Sequence, residues 1–132
     1  MRPNTLTLGI KHAHWRVLRT LLKSKIHRAT VTDANVNYEG SISIPTDLMK
    51  AADLWDGEKV LVTSISNGAR LETYVIPGKN KSGEIVINGA AAHLINTGHL
   101  VTIMAWAQSK KKVKPNRILL DASNRVVSKK VK

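Results

Sequence analysis

The sequence predicts a mainly β domain, a compact barrel that carries one or two short helices. Three observations lead to it. Short runs that alternate apolar with polar residues, or are rich in β-branched ones, recur along the chain. Turn signals such as Asn67-Gly68 fall between them. Helical patterning is confined to two short stretches, near 46–54 and 88–95.

The strand runs are "IHRATVT" (26–32), "SISI" (41–44), "KVLVTSI" (59–65), "RLETYVI" (70–76), "EIVI" (84–87) and "LVTIMAWA" (100–107). A later run, "RILL" (117–120), adds another. Asn67-Gly68 predicts a hairpin, because a tight turn needs positive φ angles that Asn and Gly tolerate. Pro45 followed by "TDLMKAADL" reads as a short helix that turns Leu48, Met49 and Ala52 to a core. "NGAAAHLI" (88–95) is Ala-rich and predicts one or two helical turns.

At 132 residues the chain is long enough for one core. It has no cysteine, which excludes disulfides, thiol nucleophiles and Cys-type zinc sites and fits a cytoplasmic protein. No apolar run reaches the length of a membrane span. The net charge of +12 sits on the ends. Residues 1–28 hold seven Lys or Arg and no acid, and residues 109–132 hold nine against Asp121. Residues 29–108 carry five basic and eight acidic side chains, a sum of −3. The division expected is a basic N-terminal extension (1–16), a barrel (17–108) and a basic C-terminal tail (109–132), with a lysine cluster at Lys110–Lys112. Basic ends bind polyanions weakly and without sequence preference, so no specific nucleic acid is expected. The acid-free start has features of a transit peptide, yet it is serine-poor and runs unbroken into strand-like sequence, as in a bacterial chain with a short extension. His12 and His14 form an H-x-H pair without a third ligand nearby, so no metal is expected.

Gly40-Ser41 interrupts two strand-like runs, and it is where chemistry enters. A serine hydroxyl can attack the carbonyl of the preceding residue and turn the amide into an ester. That step needs a strained backbone and donors for the oxyanion, and a glycine without Cβ admits unusual backbone angles. Elimination across Ser41 then releases the upstream segment, and hydrolysis leaves a pyruvoyl group. Such a ketone condenses with an amine and accepts electrons as carbon dioxide leaves. A plain Gly-Ser bulge is the alternative. Lys25 and His27 share one strand face, as do Arg70 and Tyr74. Arg suits a carboxylate, and a tyrosine hydroxyl can deliver a proton. Thr73 points the other way in a regular strand. Asn88 with Gly89, Ala90, Ala91 and Ala92 supplies an amide and small residues that let backbone donors approach a ligand.

Together "KIHRATVTDANVNYEGSISI", "NGARLETYVIPGK" and "INGAAAH" resemble the bacterial aspartate 1-decarboxylases, pyruvoyl enzymes that make β-alanine for pantothenate. The similarity runs from about Val17 to about Ala107. It implies a double-psi β-barrel assembled as a homotetramer, with active sites between neighbouring subunits. It implies self-cleavage between Gly40 and Ser41 into a β-chain (1–40) and an α-chain (41–132) that begins with pyruvoyl, without metal or pyridoxal phosphate. By the same resemblance Arg70 binds a substrate carboxylate, Tyr74 is the proton donor, and Lys25 and His27 line the site. Tyr38 flanks the cleavage point, Thr73 assists processing and touches substrate, and Asn88 with Gly89–Ala92 holds substrate and cofactor. Thr63 departs from relatives that carry an aromatic there, as do the residues before Val17 and the lysine-rich tail. Three alternatives stay open: a swapped-hairpin DNA-binding protein, a pyruvoyl decarboxylase of another amino acid, and processing that needs a maturation partner.

Overall fold

The computed structural model describes residues 17–131. The N-terminal extension, with His12 and His14, lies outside the described residues. Among the described residues nine strands form a single sheet: β1 (Arg19–Thr30), β2 (Asp33–Asn35), β3 (Ser41–Pro45), β4 (Lys59–Ser64), β5 (Arg70–Gly78), β6 (Val86–Asn88), β7 (Leu100–Ser109), β8 (Asn116–Leu120) and β9 (Val126–Val131). Their order is β2-β6-β3-β5-β4-β7-β1-β8-β9. One α-helix, α1 (Thr46–Ala52), and a 3-10 turn (Gly89–His93) complete a mainly β, barrel-like fold. Among the described residues no helix is long and apolar enough to cross a membrane.

Alternation along each strand decides what is buried. On β4 the side chains of Val60, Val62 and Ser64 point inward while Leu61 and Thr63 point out. Ile42, Ile44, Val75, Ile87, Val101 and Ile103 join them in one core from which water is excluded. Burial of each such aliphatic side chain stabilises by about 1.5–3 kcal/mol. Helix α1 begins after Pro45, whose fixed φ suits a helix entrance, and buries Leu48, Met49 and Ala52 as the pattern predicts. It ends where Asp53 turns left-handed (φ 58°) and its N–H bonds back to the Lys50 carbonyl.

Three strand pairs are parallel: β1 with β8, β2 with β6 and β3 with β5. Each requires a crossing connection, which apolar alternation alone does not reveal. Of the segment 109–132, read from its charge as a tail, the described residues are built into the fold instead. β8 lies beside β1, Ile118 and Leu120 are buried, and β9 closes a hairpin onto β8. Asn124, buried in that hairpin's turn, accepts a hydrogen bond from Thr30 N–H and donates to the Thr30 and Gly83 carbonyls, each at 2.8 Å. The many lysines in this stretch point outward and mask the two strands beneath them.

The Asn67-Gly68 hairpin joins β4 to β5, but through a longer turn than a two-residue one. Only Gly68 takes a positive φ (77°). Asn67 acts through its side chain, accepting from Ala69 N–H at 3.0 Å and donating to the Leu94 carbonyl at 2.8 Å.

Candidate active site

Ser41 is the first residue of β3 and stands directly opposite Asn88, the last residue of β6. Paired positions project to one face, so the two side chains meet: Asn88 Nδ2 donates to Ser41 Oγ at 3.0 Å, and Ser41 Oγ donates to the Glu39 carbonyl at 3.3 Å. Both side chains are buried. The serine hydroxyl is thus held by an amide donor and lies beside its own upstream backbone.

The glycine that this corner requires is Gly89. It takes φ +78°, and a Cβ there would lie 2.6 Å from Gly40 Cα and 2.7 Å from Gly40 N. The Gly89 backbone therefore passes so close to Gly40 that no side chain fits between them. Gly40 itself has open space at its Cβ position and a φ outside the left-handed region. The special backbone expected of Gly40 is carried by its neighbour across the strands. Beyond Gly89 the 3-10 turn sends Ala92 into the core and leaves Ala90 exposed. The Ala91 carbonyl accepts from the Leu94 and Ile95 N–H groups, both at 3.0 Å.

β3 runs parallel to β5 with Ile42 opposite Val75. The pairing begins at Ile42, so Ser41 enters β3 next to the Tyr74 end of that register, while Gly40 lies outside the strand. Thr73 points to the inner side with Leu71 and Val75, while Tyr74 points outward with Arg70 and Glu72, as strand alternation predicts. Ser41, Tyr74 and Asn88 line one cavity of about 620 Å³ with Tyr38, Glu39, Ser43, Ile76 and Val86. Ser43, Ile76 and Val86 were not singled out from sequence. Each lies two residues from a predicted site residue on the same strand, so same-face spacing was the signal that could have found them.

Among the described residues that cavity is lined by one carboxylate, Glu39, and by no Lys, Arg or His. The predicted cations lie elsewhere on the chain. Arg70 opens β5, four residues from Tyr74, about 13 Å along a strand at 3.3 Å per residue. It begins an outward row through Thr63 on β4 and Thr102 on β7, and His27 Nδ1 on β1 meets Thr102 Oγ1 at 3.3 Å. Lys25 and His27 line a different cavity, with Arg117, Ser128 and Lys130. The His27 pKa is lowered by burial first, then by the charges of Lys25 and Arg28. Near neutral pH its ring is uncharged. Lys59 and Glu72 form an exposed ion pair at 3.1 Å between the two regions.

A sequence model described as aspartate decarboxylase matches residues 17–127. The chain belongs to the aspartate decarboxylase family. The match reaches past the barrel boundary expected at 108 and takes in β8. A protein of Corynebacterium efficiens, "Aspartate 1-decarboxylase", is 56% identical across 85% of this chain and 85% of its own length. Among the described residues no group of three or more His, Asp or Glu is placed to hold a metal ion. What this corner of the family's fold can do follows from its contents: a buried hydroxyl, an amide that orients it, a phenol across the cavity, and a glycine whose backbone passes close to Gly40.

Proposed function

We propose that the chain is a self-processing decarboxylase that converts L-aspartate to β-alanine and carbon dioxide, as a cytoplasmic enzyme of pantothenate biosynthesis. The observation that carries the reading is the Ser41–Asn88 hydrogen bond beside Gly40, at the Gly-Ser pair where the resemblance implies cleavage. In processing, Ser41 Oγ forms a bond to the Gly40 carbonyl carbon and the Gly40–Ser41 C–N bond breaks, leaving an ester and a free amine. Asn88 Nδ2 orients the hydroxyl. Thr73, next to Tyr74 on β5, is assigned the support of the oxyanion by the family resemblance. Loss of the Cα proton expels residues 1–40 as a carboxylate. Water then replaces nitrogen at residue 41, releasing ammonia.

The buried, amide-held position of Ser41 in an open cavity fits a pyruvoyl group there. When formed, that group supplies a ketone that takes up the substrate amine and the electron pair left by carbon dioxide. The chain's own residues do the rest. Tyr74 lines the cavity with its hydroxyl available to return a proton to the substrate carbon. Asn88 and the Gly89–Ala92 backbone hold the bound end of the substrate. Arg70 holds the side-chain carboxylate.

A dicarboxylate needs a cation, and the Ser41 cavity has none of its own. Its missing charge is assigned to Arg70, Lys25 and His27 of a neighbouring subunit in a homotetramer. Strand spacing supports that assembly, because Arg70 of the same chain starts four residues from Tyr74. Ser41→Ala tests the reading: the protein is expected to remain one uncleaved chain without measurable β-alanine formation. Undiminished activity in that variant would overturn it.

A further inference from the structure

Three cations stand in a row at the far edge of the sheet. Lys25 on β1 is opposite Arg117 on β8, and Arg117 is opposite Lys130 on β9. Paired side chains project to one face, and like charges directly opposite each other are destabilising. Among the described residues none of the three has a carboxylate within ion-pairing distance; the ion pairs go to Lys23 and Lys59. In the same row the nearest acid is Glu72, three strands beyond Lys25 and already paired with Lys59.

The row walls a cavity of about 220 Å³ with His27, Leu119 and the Ser128 hydroxyl. Arg117 Nε is buried there without a hydrogen-bond partner. A buried donor left without an acceptor is costly, and a guanidinium fork is matched in shape by carboxylate or phosphate oxygens. The volume lies below the range of about 300–1,000 Å³ that suits drug-sized ligands, so the occupant is small. His27 adds a neutral ring that can hydrogen-bond, because burial and the neighbouring Lys25 and Arg28 hold its pKa down.

We infer that Lys25, Arg117, Lys130 and the Ser128 hydroxyl form a binding site for a small oxyanion carrying two or more negative charges. The dicarboxylate substrate, gathered before it reaches Ser41, and a free phosphate-type anion share this chemistry. The substrate arm rests on the proposed function, to which Lys25 is also assigned, whereas the phosphate arm rests on Arg117, Ser128 and Lys130, which take no part in it.

The test uses uncleaved Ser41→Ala protein, so that turnover does not intervene. Calorimetric titration with inorganic phosphate, pyrophosphate and L-aspartate is run at constant ionic strength set by chloride. Saturable binding of at least one of these anions is expected, weakened about tenfold or more by Arg117→Gln, as for loss of one charge-assisted contact. Lys130→Gln weakens it less, and Ser128→Ala gives a readout at the same cavity with little risk to the fold. Loss of phosphate or pyrophosphate binding, with the aspartate KM of the processed Arg117→Gln enzyme unchanged, identifies a separate phosphate-type ligand. Loss of aspartate binding, with KM raised and kcat kept, identifies substrate capture. Absence of saturable binding, or equal binding by all the variants, overturns the inference. An inactive wild-type enzyme would count against the decarboxylase reading and leave the titration intact.

Discussion

Two regions of this chain divide one task. At β3, β5 and β6 the Ser41 corner has no cation among the described residues that line it: a buried hydroxyl, a buried amide, a phenol and an obligatory glycine come from one chain. Across β1, β8 and β9 the surface is cationic and incomplete, with Lys25, Arg117 and Lys130 aligned without acids. Making an electrophile from the backbone needs low polarity and fixed geometry. Holding a dicarboxylate needs charge, which would disturb that geometry if placed beside it. In the proposed homotetramer, separation along the chain would satisfy both demands.

The largest effect that sharpens this division is expected from Tyr74→Phe. Its cavity position beside Ser41 assigns it to turnover, so cleavage should go to completion while kcat falls by about 10²–10⁴, the range for loss of a positioned acid. Steady-state assays on protein shown by mass to be cleaved would check it. An uncleaved Tyr74→Phe chain would move the tyrosine into processing.

Gly89→Ala probes the other half of the corner. A methyl group 2.6 Å from Gly40 Cα must displace the peptide that precedes Ser41, and positive φ adds strain. A cost of about 1–3 kcal/mol slows processing by roughly 10–100-fold. Turnover per cleaved chain is read separately, because the Gly89–Ala92 backbone is also assigned to holding the substrate. Gly40→Ala, with open space at its Cβ, should hinder processing less. The reverse order in a time course on denaturing gels would contradict the assignment.

Arg70→Gln should leave cleavage complete and raise KM for aspartate by about 10–100-fold, the worth of a hydrogen-bonded charge. If substrate charge is held across subunits, mixing Arg70→Gln with Ser41→Ala chains should restore part of the activity that each lacks. Failure of every such mixture to recover activity would place both groups in one subunit.

The smallest effect concerns His27. Its folded pKa lies below the ordinary value of 6.5, so the unfolded chain takes up the proton first as pH falls. Stability from this group is full above pH about 6.5 and is lost as the pH drops towards the folded pKa. Wild type should therefore lose more melting temperature between pH 8 and 5 than His27→Gln. Parallel profiles would remove this contribution.

Sequence patterning revealed the strands whose faces alternate cleanly, the helix after Pro45 and the turn at Asn88–His93. It gave less at the edges. β2 is three residues long, and β9 reads Val-Val-Ser-Lys-Lys-Val, without alternation and with a lysine pair that suggests a solvated tail. The Gly-Ser pair was legible because its chemistry needs adjacent residues. Gly89's close approach to Gly40 was not, because it arises from pairing across 48 positions of chain. The separation of Arg70 and Lys25 from Ser41 was likewise hidden, since residue type shows what a side chain can bind but not which strands will be neighbours.

The most direct measurement is the intact mass of freshly purified wild-type protein under denaturing conditions. Two fragments are predicted, one ending at Gly40 and one beginning at residue 41 with a keto group in place of its amine. A single undivided chain that still releases carbon dioxide from aspartate would contradict the account.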